Sequence, residues 1–194
     1  MTQSKARFFD AFAARPRPPA DQLLRPSVTH DGERVHELLR ARTPAELSAN
    51  DLRTEVEGSL WALSPDAFRY FLPAFLHAAL ESYESLSVFA SELVGALTEP
   101  SRADVVESLD RLARLPSGVG LPPDTAELLR KQQLEWFDSG VPAAMFNERV
   151  NSLTPAEGAA ILAFFEAFQA AHGDDFPFGE LQTAIDRYWG RYRG

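Results

Sequence analysis

The sequence contains no cysteine and almost no isoleucine. Without cysteine the chain has no disulfide, no thiolate nucleophile and no cysteine-ligated zinc site. Isoleucine occurs only at Ile161 and Ile185, whereas Leu and Ala are abundant, and this balance favours helices over strands. We therefore predict an all-α fold, a single compact domain over residues 1–194 with roughly nine helices.

Long apolar runs are absent as well. No segment approaches the ~18 consecutive apolar residues that a membrane-spanning helix needs. The first residues, MTQSKARFFDAFAARPRPP, contain no apolar stretch as long as that of a secretory signal. We therefore expect a cytoplasmic protein that does not enter a membrane.

Basic side chains are in the minority, and lysine occurs only at Lys5 and Lys131. The chain has 19 basic against 28 acidic side chains, which gives a formal net charge of −9. Such a surface repels phosphate, so binding to nucleic acid or to an anionic membrane is disfavoured. The charge is compatible with docking on a basic protein partner, although ordinary cytosolic acidity is the simpler interpretation.

Two capped, Phe-rich segments are the most informative feature that is present. LSPDAFRYFLPAFLHAAL at Leu63–Leu80 is echoed by LTPAEGAAILAFFEAFQAA at Leu153–Ala171. Each places Ser or Thr at an N-cap and proline at the first helical position. We predict that these two segments form the central helix pair of the fold.

The remaining apolar periodicity predicts further helices on both sides of this pair. An N-terminal helix and a proline-rich connector should together occupy residues 1–30, with the connector extended over residues 15–26. The other predicted helices cover residues 31–42, 50–63, 81–97, 101–115, 124–138, 143–153 and 180–189.

From Leu63 onward the chain resembles a bacterial protein family known as a domain of unknown function. That family has a core of the LSPEAFRYFLPAFL type, which reads LSPDAFRYFLPAFL at Leu63–Leu76. A second block matches at Leu153–Glu166, the C-terminal Tyr-Trp pair matches at Tyr188–Trp189, and FFDAF matches at Phe8–Phe12. Glu-Gly at positions 157 and 158 departs from the expected Gln and charged residue. The resemblance implies a fold and carries no activity.

No catalytic, cofactor or metal set emerges from the motifs. Gly118–Gly120 is a lone GxG without a preceding strand, and no serine lies in a nucleophile elbow. His30 and His36 straddle a predicted helix start and are poorly placed as metal ligands. Asp174 and Asp175 lack the spacing of a calcium loop. We predict no catalytic residue, no cofactor and no metal.

The best candidate for a binding surface surrounds Pro73, in the middle of the first core helix. A proline there removes the hydrogen bond to the carbonyl of Arg69 and should bend the helix. Arg69, Tyr70, Pro73, His77 and Glu81 are the predicted binding residues. The alternative is structural, with Arg69 paired to a carboxylate, Tyr70 half-buried and His77 facing solvent.

Three further features are interpreted structurally. His172 should cap the end of the second core helix, followed by a C′ glycine at Gly173. The basic and aromatic tail could stack on nucleic acid, but an anchored last helix with Trp189 inside is the preferred interpretation. Trp61 and Trp136 fit either the edge of the core or an interface.

These features together predict a non-enzymatic cytoplasmic protein-binding or adaptor protein. In a narrower form it is an immunity-type inhibitor that masks a basic toxin or effector through an acidic, aromatic-edged surface. The rival is an enzyme or small-ligand binder with a pocket beside Pro73, in which Arg69 holds an anion and His77 or Tyr70 transfers protons. A structural oligomer is a third alternative, and the oligomeric state stays open.

Overall fold

The computed structural model describes residues 3–26, 32–115 and 122–194 of the chain. These residues form ten α-helices, nine of them with at least seven residues, and no strand. The predicted all-α fold is therefore confirmed for the described part of the chain. The helices are α1 Gln3–Ala11, α2 Glu33–Ala41, α3 Ala49–Asp51, α4 Pro65–Glu81, α5 Tyr83–Leu97, α6 Arg102–Ala113, α7 Pro123–Asp138, α8 Val141–Val150, α9 Pro155–His172 and α10 Glu180–Arg187.

Contacts divide the chain into two units. The larger contains residues 1–98 and 149–194, and the smaller contains residues 99–148. The expectation of one domain over the whole chain stays a prediction. Among the helices of the described ranges, none is both long enough and apolar enough to cross a membrane.

Helices α4 and α9 pack against each other at the centre of the larger unit, as predicted. The Ser64 side chain accepts a hydrogen bond from the amide of Ala67, and Thr154 forms a capping box with Glu157. Both helices carry stacked and edge-on phenylalanines that are fully buried. This group comprises Phe68, Phe71, Phe75, Phe164, Phe165 and Phe168.

The prediction of a single helix over residues 50–63 is wrong. Helix α3 continues into a π-helical turn, Leu52–Val56, and the chain then turns at Gly58, whose φ is +78°. Only glycine adopts this left-handed conformation without strain, so the helix ends there. A 3₁₀ turn follows at Leu60–Ala62. Leu52, Val56, Leu60 and Leu63 are nevertheless all buried.

The proline-rich connector is extended apart from one 3₁₀ turn at Ala20–Gln22. It pairs with the chain before α4: the Arg25 amide donates to the carbonyl of Ala62 at 2.8 Å, and the Ser64 amide donates to Leu23 at 3.0 Å. These bonds hold the connector against the rest of the larger unit, and Leu23 is buried there.

The C-terminus is anchored inside the larger unit, as expected from the preferred interpretation of its aromatic residues. Trp189 is fully buried, and its Nε1 donates to the carbonyl of Leu97 at 2.7 Å. Helix α10 ends at Arg187, two residues earlier than predicted, and a 3₁₀ turn continues to Tyr192. The Tyr192 ring lies over Gly158 of α9, where a Cβ atom would meet it at an impossibly short distance.

Candidate partner-binding surface

Arg69, the predicted anion-binding residue, is buried in the larger unit and has structural partners. Its Nη2 donates to Asp66 Oδ1 at 2.6 Å, and its Nη1 donates to the backbone carbonyl of Arg149 at 3.3 Å. The guanidinium therefore links α4 to the backbone at residue 149. This matches the structural alternative, in which Arg69 pairs with a carboxylate.

The other predicted residues lie in different environments along α4. Pro73 is buried within the helix, while Tyr70 and His77 are half-buried and Glu81 is exposed. The ring of Phe9 from α1 meets the His77 ring edge-on, with centroids 6.3 Å apart. Helix α1 thus lies over the part of α4 that contains His77. A binding role for these residues stays a prediction.

The remaining candidates from the sequence have local structural roles or fall outside the described ranges. His30 and Gly118–Gly120 lie outside them, and His36 Nε2 is 2.8 Å from the carbonyl of Ala20. His172 stacks on Tyr83 with centroids 4.0 Å apart, so it belongs to an aromatic cluster. Gly173 has a φ of −58° and is not the left-handed C′ glycine that we predicted, because a 3₁₀ turn continues the helix.

Within residues 3–26, 32–115 and 122–194, no group of three or more His, Cys, Asp or Glu side chains could hold a metal ion. Asp174 and Asp175 lie in the exposed 3₁₀ turn after α9.

The basic side chains of the C-terminal tail are engaged within the larger unit. The Arg191 guanidinium lies over the Tyr188 ring at 3.8 Å from its centroid, and Arg193 pairs with Glu166 at 3.2 Å. Together with the buried Trp189, these contacts anchor the tail to the rest of the larger unit.

The described helices of the smaller unit bury fewer side chains than those of the larger unit. Helices α6 and α7 pack against each other, and Arg130 Nη1 donates to Asp110 Oδ1 at 2.6 Å across them. A shallow groove between them is lined by Leu109, Leu112 and Ala126. No residue of α6 and no described side chain of α7 is buried, although both helices carry apolar positions at helical spacing.

Exposed apolar side chains are concentrated in this smaller unit. Of the seven large apolar side chains exposed in the described ranges, four belong to it, namely Leu115, Leu128, Trp136 and Val141. Scattered single apolar residues are normal on a protein surface, so exposed apolar side chains that share one face are the more informative feature.

Two of the four lie on one side of α7, which we call the α7 outer face: Asp124, Leu128, Gln132, Glu135 and Trp136. Positions four, seven or eight apart share one side of an α-helix. Leu128 is 55% exposed and Trp136 is 50% exposed, and the other three residues are exposed as well. The face therefore presents two apolar side chains, Leu128 and Trp136, which are separated by the polar Gln132 and which we call its apolar stripe, with a carboxylate near each end.

The charge around this face is mainly negative. Asp124 and Glu135 contribute carboxylates, and the one lysine in the middle of α7, Lys131, lies 3.9 Å from Glu135. Asp138, at the end of the helix, is paired with Arg102 at 2.9 Å. A cationic group on a partner would therefore meet favourable potential beside the apolar stripe.

Sequence reasoning recognised α7 but did not single out its outer face. The available signal was the eight-residue spacing of Leu128 and Trp136 on a helix that also has Leu129 and Phe137 elsewhere around its axis. Comparisons with protein-family models, with curated proteins and with solved structures find no match to this chain. The resemblance to a domain-of-unknown-function family therefore stays a prediction.

Proposed function

We propose that this chain is a non-enzymatic protein-binding protein that docks its partner on the α6–α7 unit. One observation carries the proposal: among the residues that the structure describes, the smaller unit has four of the seven exposed large apolar side chains, and two of them form the stripe of the α7 outer face. Covering Leu128 and Trp136 would remove apolar area from water, and exposed tryptophan is typical of binding hot spots.

The overall charge supports a basic partner. The formal charge of −9 disfavours phosphate-bearing ligands and accelerates encounter with a cationic protein. An inhibitor that masks a basic toxin or effector is the narrower form of this proposal. The rival pocket beside Pro73 has less support, because the Arg69 guanidinium is buried against Asp66 and the carbonyl of Arg149.

The test is affinity capture of the tagged full chain from its native cell extract at low salt, with protein identification by mass spectrometry. The doubly substituted L128Q/W136Q chain should recover at least about tenfold less of the partner, since losing a hot-spot tryptophan alone costs about 2 kcal/mol or more. Glutamine keeps the helix propensity of α7.

The matched control is V88Q, which replaces an apolar side chain that is 63% exposed on α5 of the larger unit. This variant should recover the partner as the wild type does. Equal recovery by L128Q/W136Q and V88Q would contradict the proposed docking site.

A further inference from the structure

We propose that the occupant of the α7 outer face is an amphipathic α-helix of the partner, with arginine or lysine along the edges of its apolar side. This inference rests on the proposed protein-binding function and specifies the chemistry of the partner. It is carried by the spacing of the exposed apolar residues and by the placement of charge around them.

The shape of the face favours a helix as its occupant. Leu128 and Trp136 are eight residues apart, which is about 12 Å along the axis at 1.5 Å per residue. An approaching helix places side chains at i, i+4 and i+7 over a similar length, so two or three of them can contact this stripe. Gln132, which lies between them, is exposed and polar, so a partner can make apolar contacts with this face only at Leu128 and Trp136.

The backbone of α7 also argues against an extended strand. Between its first and last turns the amide and carbonyl groups of α7 are used inside the helix, so it offers no ladder of free hydrogen-bonding groups for strand addition. Side-chain packing against an approaching helix is a recognition mode that fits this face.

Charge determines which amphipathic helix fits. Asp124 and Glu135 flank the stripe near its two ends, and both are exposed. Lys131 reaches Glu135 only at 3.9 Å, a loose pair that a partner guanidinium with bidentate geometry could displace. An acidic helix would instead place like charges beside Asp124 and Glu135, which disfavours it.

The experiment is selection from a displayed library of 20-residue peptides with random charge, using the immobilised full chain. Peptides that also bind the L128Q/W136Q chain are removed before sequencing. We expect the retained peptides to have net positive charge, apolar residues at i, i+3 or i+4, and i+7, and helical circular dichroism when bound.

The dependence of binding on charge is measured with the best retained peptide and with protein variants that each lack two carboxylates. D124N/E135Q should weaken its affinity by about threefold to tenfold, as expected for the loss of two exposed ion pairs, and the loss should vanish at high salt. The control D10N/E84Q changes the net charge equally at exposed carboxylates of α1 and α5 and should leave the affinity unchanged.

Three results would overturn the inference: retained peptides that are acidic or non-helical, affinity that is unaffected by D124N/E135Q, or no peptide that depends on Leu128 and Trp136. If cellular capture still depends on these two residues, the proposed function stands and only the helical, basic partner is rejected. If capture is independent of them as well, both proposals fail.

Discussion

Arg15 and Glu157, 142 residues apart in the chain, form a two-point ion pair between the proline-rich connector and the start of α9. Arg15 Nε lies 2.5 Å from Oε1, and Nη2 lies 2.8 Å from Oε2. The same carboxylate accepts hydrogen bonds from the amide and hydroxyl of Thr154 at 2.7 and 2.9 Å. One glutamate therefore caps a core helix and also holds the connector.

This arrangement makes stability depend on pH. Burial raises the pKa of Glu157, but the hydrogen bonds from Arg15 and Thr154 outweigh burial and hold the pKa below its ordinary value of 4.5. A carboxylate with a lowered folded-state pKa stabilises the fold above the unfolded-state value and loses this contribution as pH falls through the folded-state pKa. We expect E157Q to lower the free energy of unfolding by about 1–3 kcal/mol at pH 7.

Urea unfolding across a pH series measures this effect. The difference between wild type and E157Q should shrink as the pH falls below 4.5. The control E166Q alters an exposed carboxylate paired with Arg193 and should shift stability by less than about 0.5 kcal/mol. A constant deficit of E157Q down to the acid limit would contradict the role of the ionised carboxylate.

Replacement by alanine should have opposite effects on stability at Gly158 and at Gly95. At Gly158 a Cβ atom would overlap the Tyr192 ring, whereas at Gly95 nothing lies within 4 Å. We expect G158A to destabilise the protein by about 1–3 kcal/mol through overpacking. G95A should stabilise it by about 0.5–1 kcal/mol, because alanine costs less entropy in a helix.

Thermal unfolding of the two variants separates these effects. Adding Y192L to G158A should recover part of the loss, since it removes the ring that blocks the Cβ atom. Equal stabilisation by G158A and G95A would mean that the Tyr192 ring is not seated on α9.

Trp189 and Trp61 should respond differently to replacement by phenylalanine. W189F removes a buried donor and leaves the carbonyl of Leu97 without its 2.7 Å hydrogen bond, at a cost of about 1–3 kcal/mol. W61F removes a bond to the Gly58 carbonyl at an exposed position, where water can replace it, so we expect less than about 0.5 kcal/mol. Chemical denaturation compares the two, and equal losses would place Trp189 outside the core.

Arg69 provides a test of the predicted site beside Pro73. R69M should lower the free energy of unfolding by about 1.5–3 kcal/mol, because a buried guanidinium loses charged hydrogen bonds to Asp66 and the Arg149 carbonyl. R53M, at an exposed arginine of the π-helical turn, is the control and should be nearly neutral. Full stability of R69M would restore Arg69 as a candidate ligand-binding residue.

Local features of this fold could be predicted from the sequence, and long-range ones could not. Ser64 and Thr154 predict where their helices begin because capping depends on residues within one turn. The pairing of Arg15 with Glu157 depends on how distant segments meet, and no local pattern encodes it. The roles of Glu157 and Gly158 become visible only in the structure, where Arg15 pairs with Glu157 and the Tyr192 ring lies on Gly158.

The candidate site, too, could be predicted from the sequence only in its local features. Periodicity places Leu128 and Trp136 on one side of a helix, but only packing shows that this side is uncovered. Conversely, the sequence draws attention to Arg69 because it lies four residues before a proline inside a helix, but it does not reveal the long-range partner of Arg69, the carbonyl of Arg149.

The most direct measurement is photo-crosslinking in living cells from two aromatic positions, Trp136 and Phe178, each replaced in turn by p-benzoylphenylalanine. Trp136 is 50% exposed on the α7 outer face, and Phe178 is 60% exposed in the larger unit. Docking on the α7 outer face predicts a discrete crosslinked protein from position 136 and none from position 178. Crosslinking only from position 178, or equal crosslinking from both positions, would contradict docking on the α7 outer face.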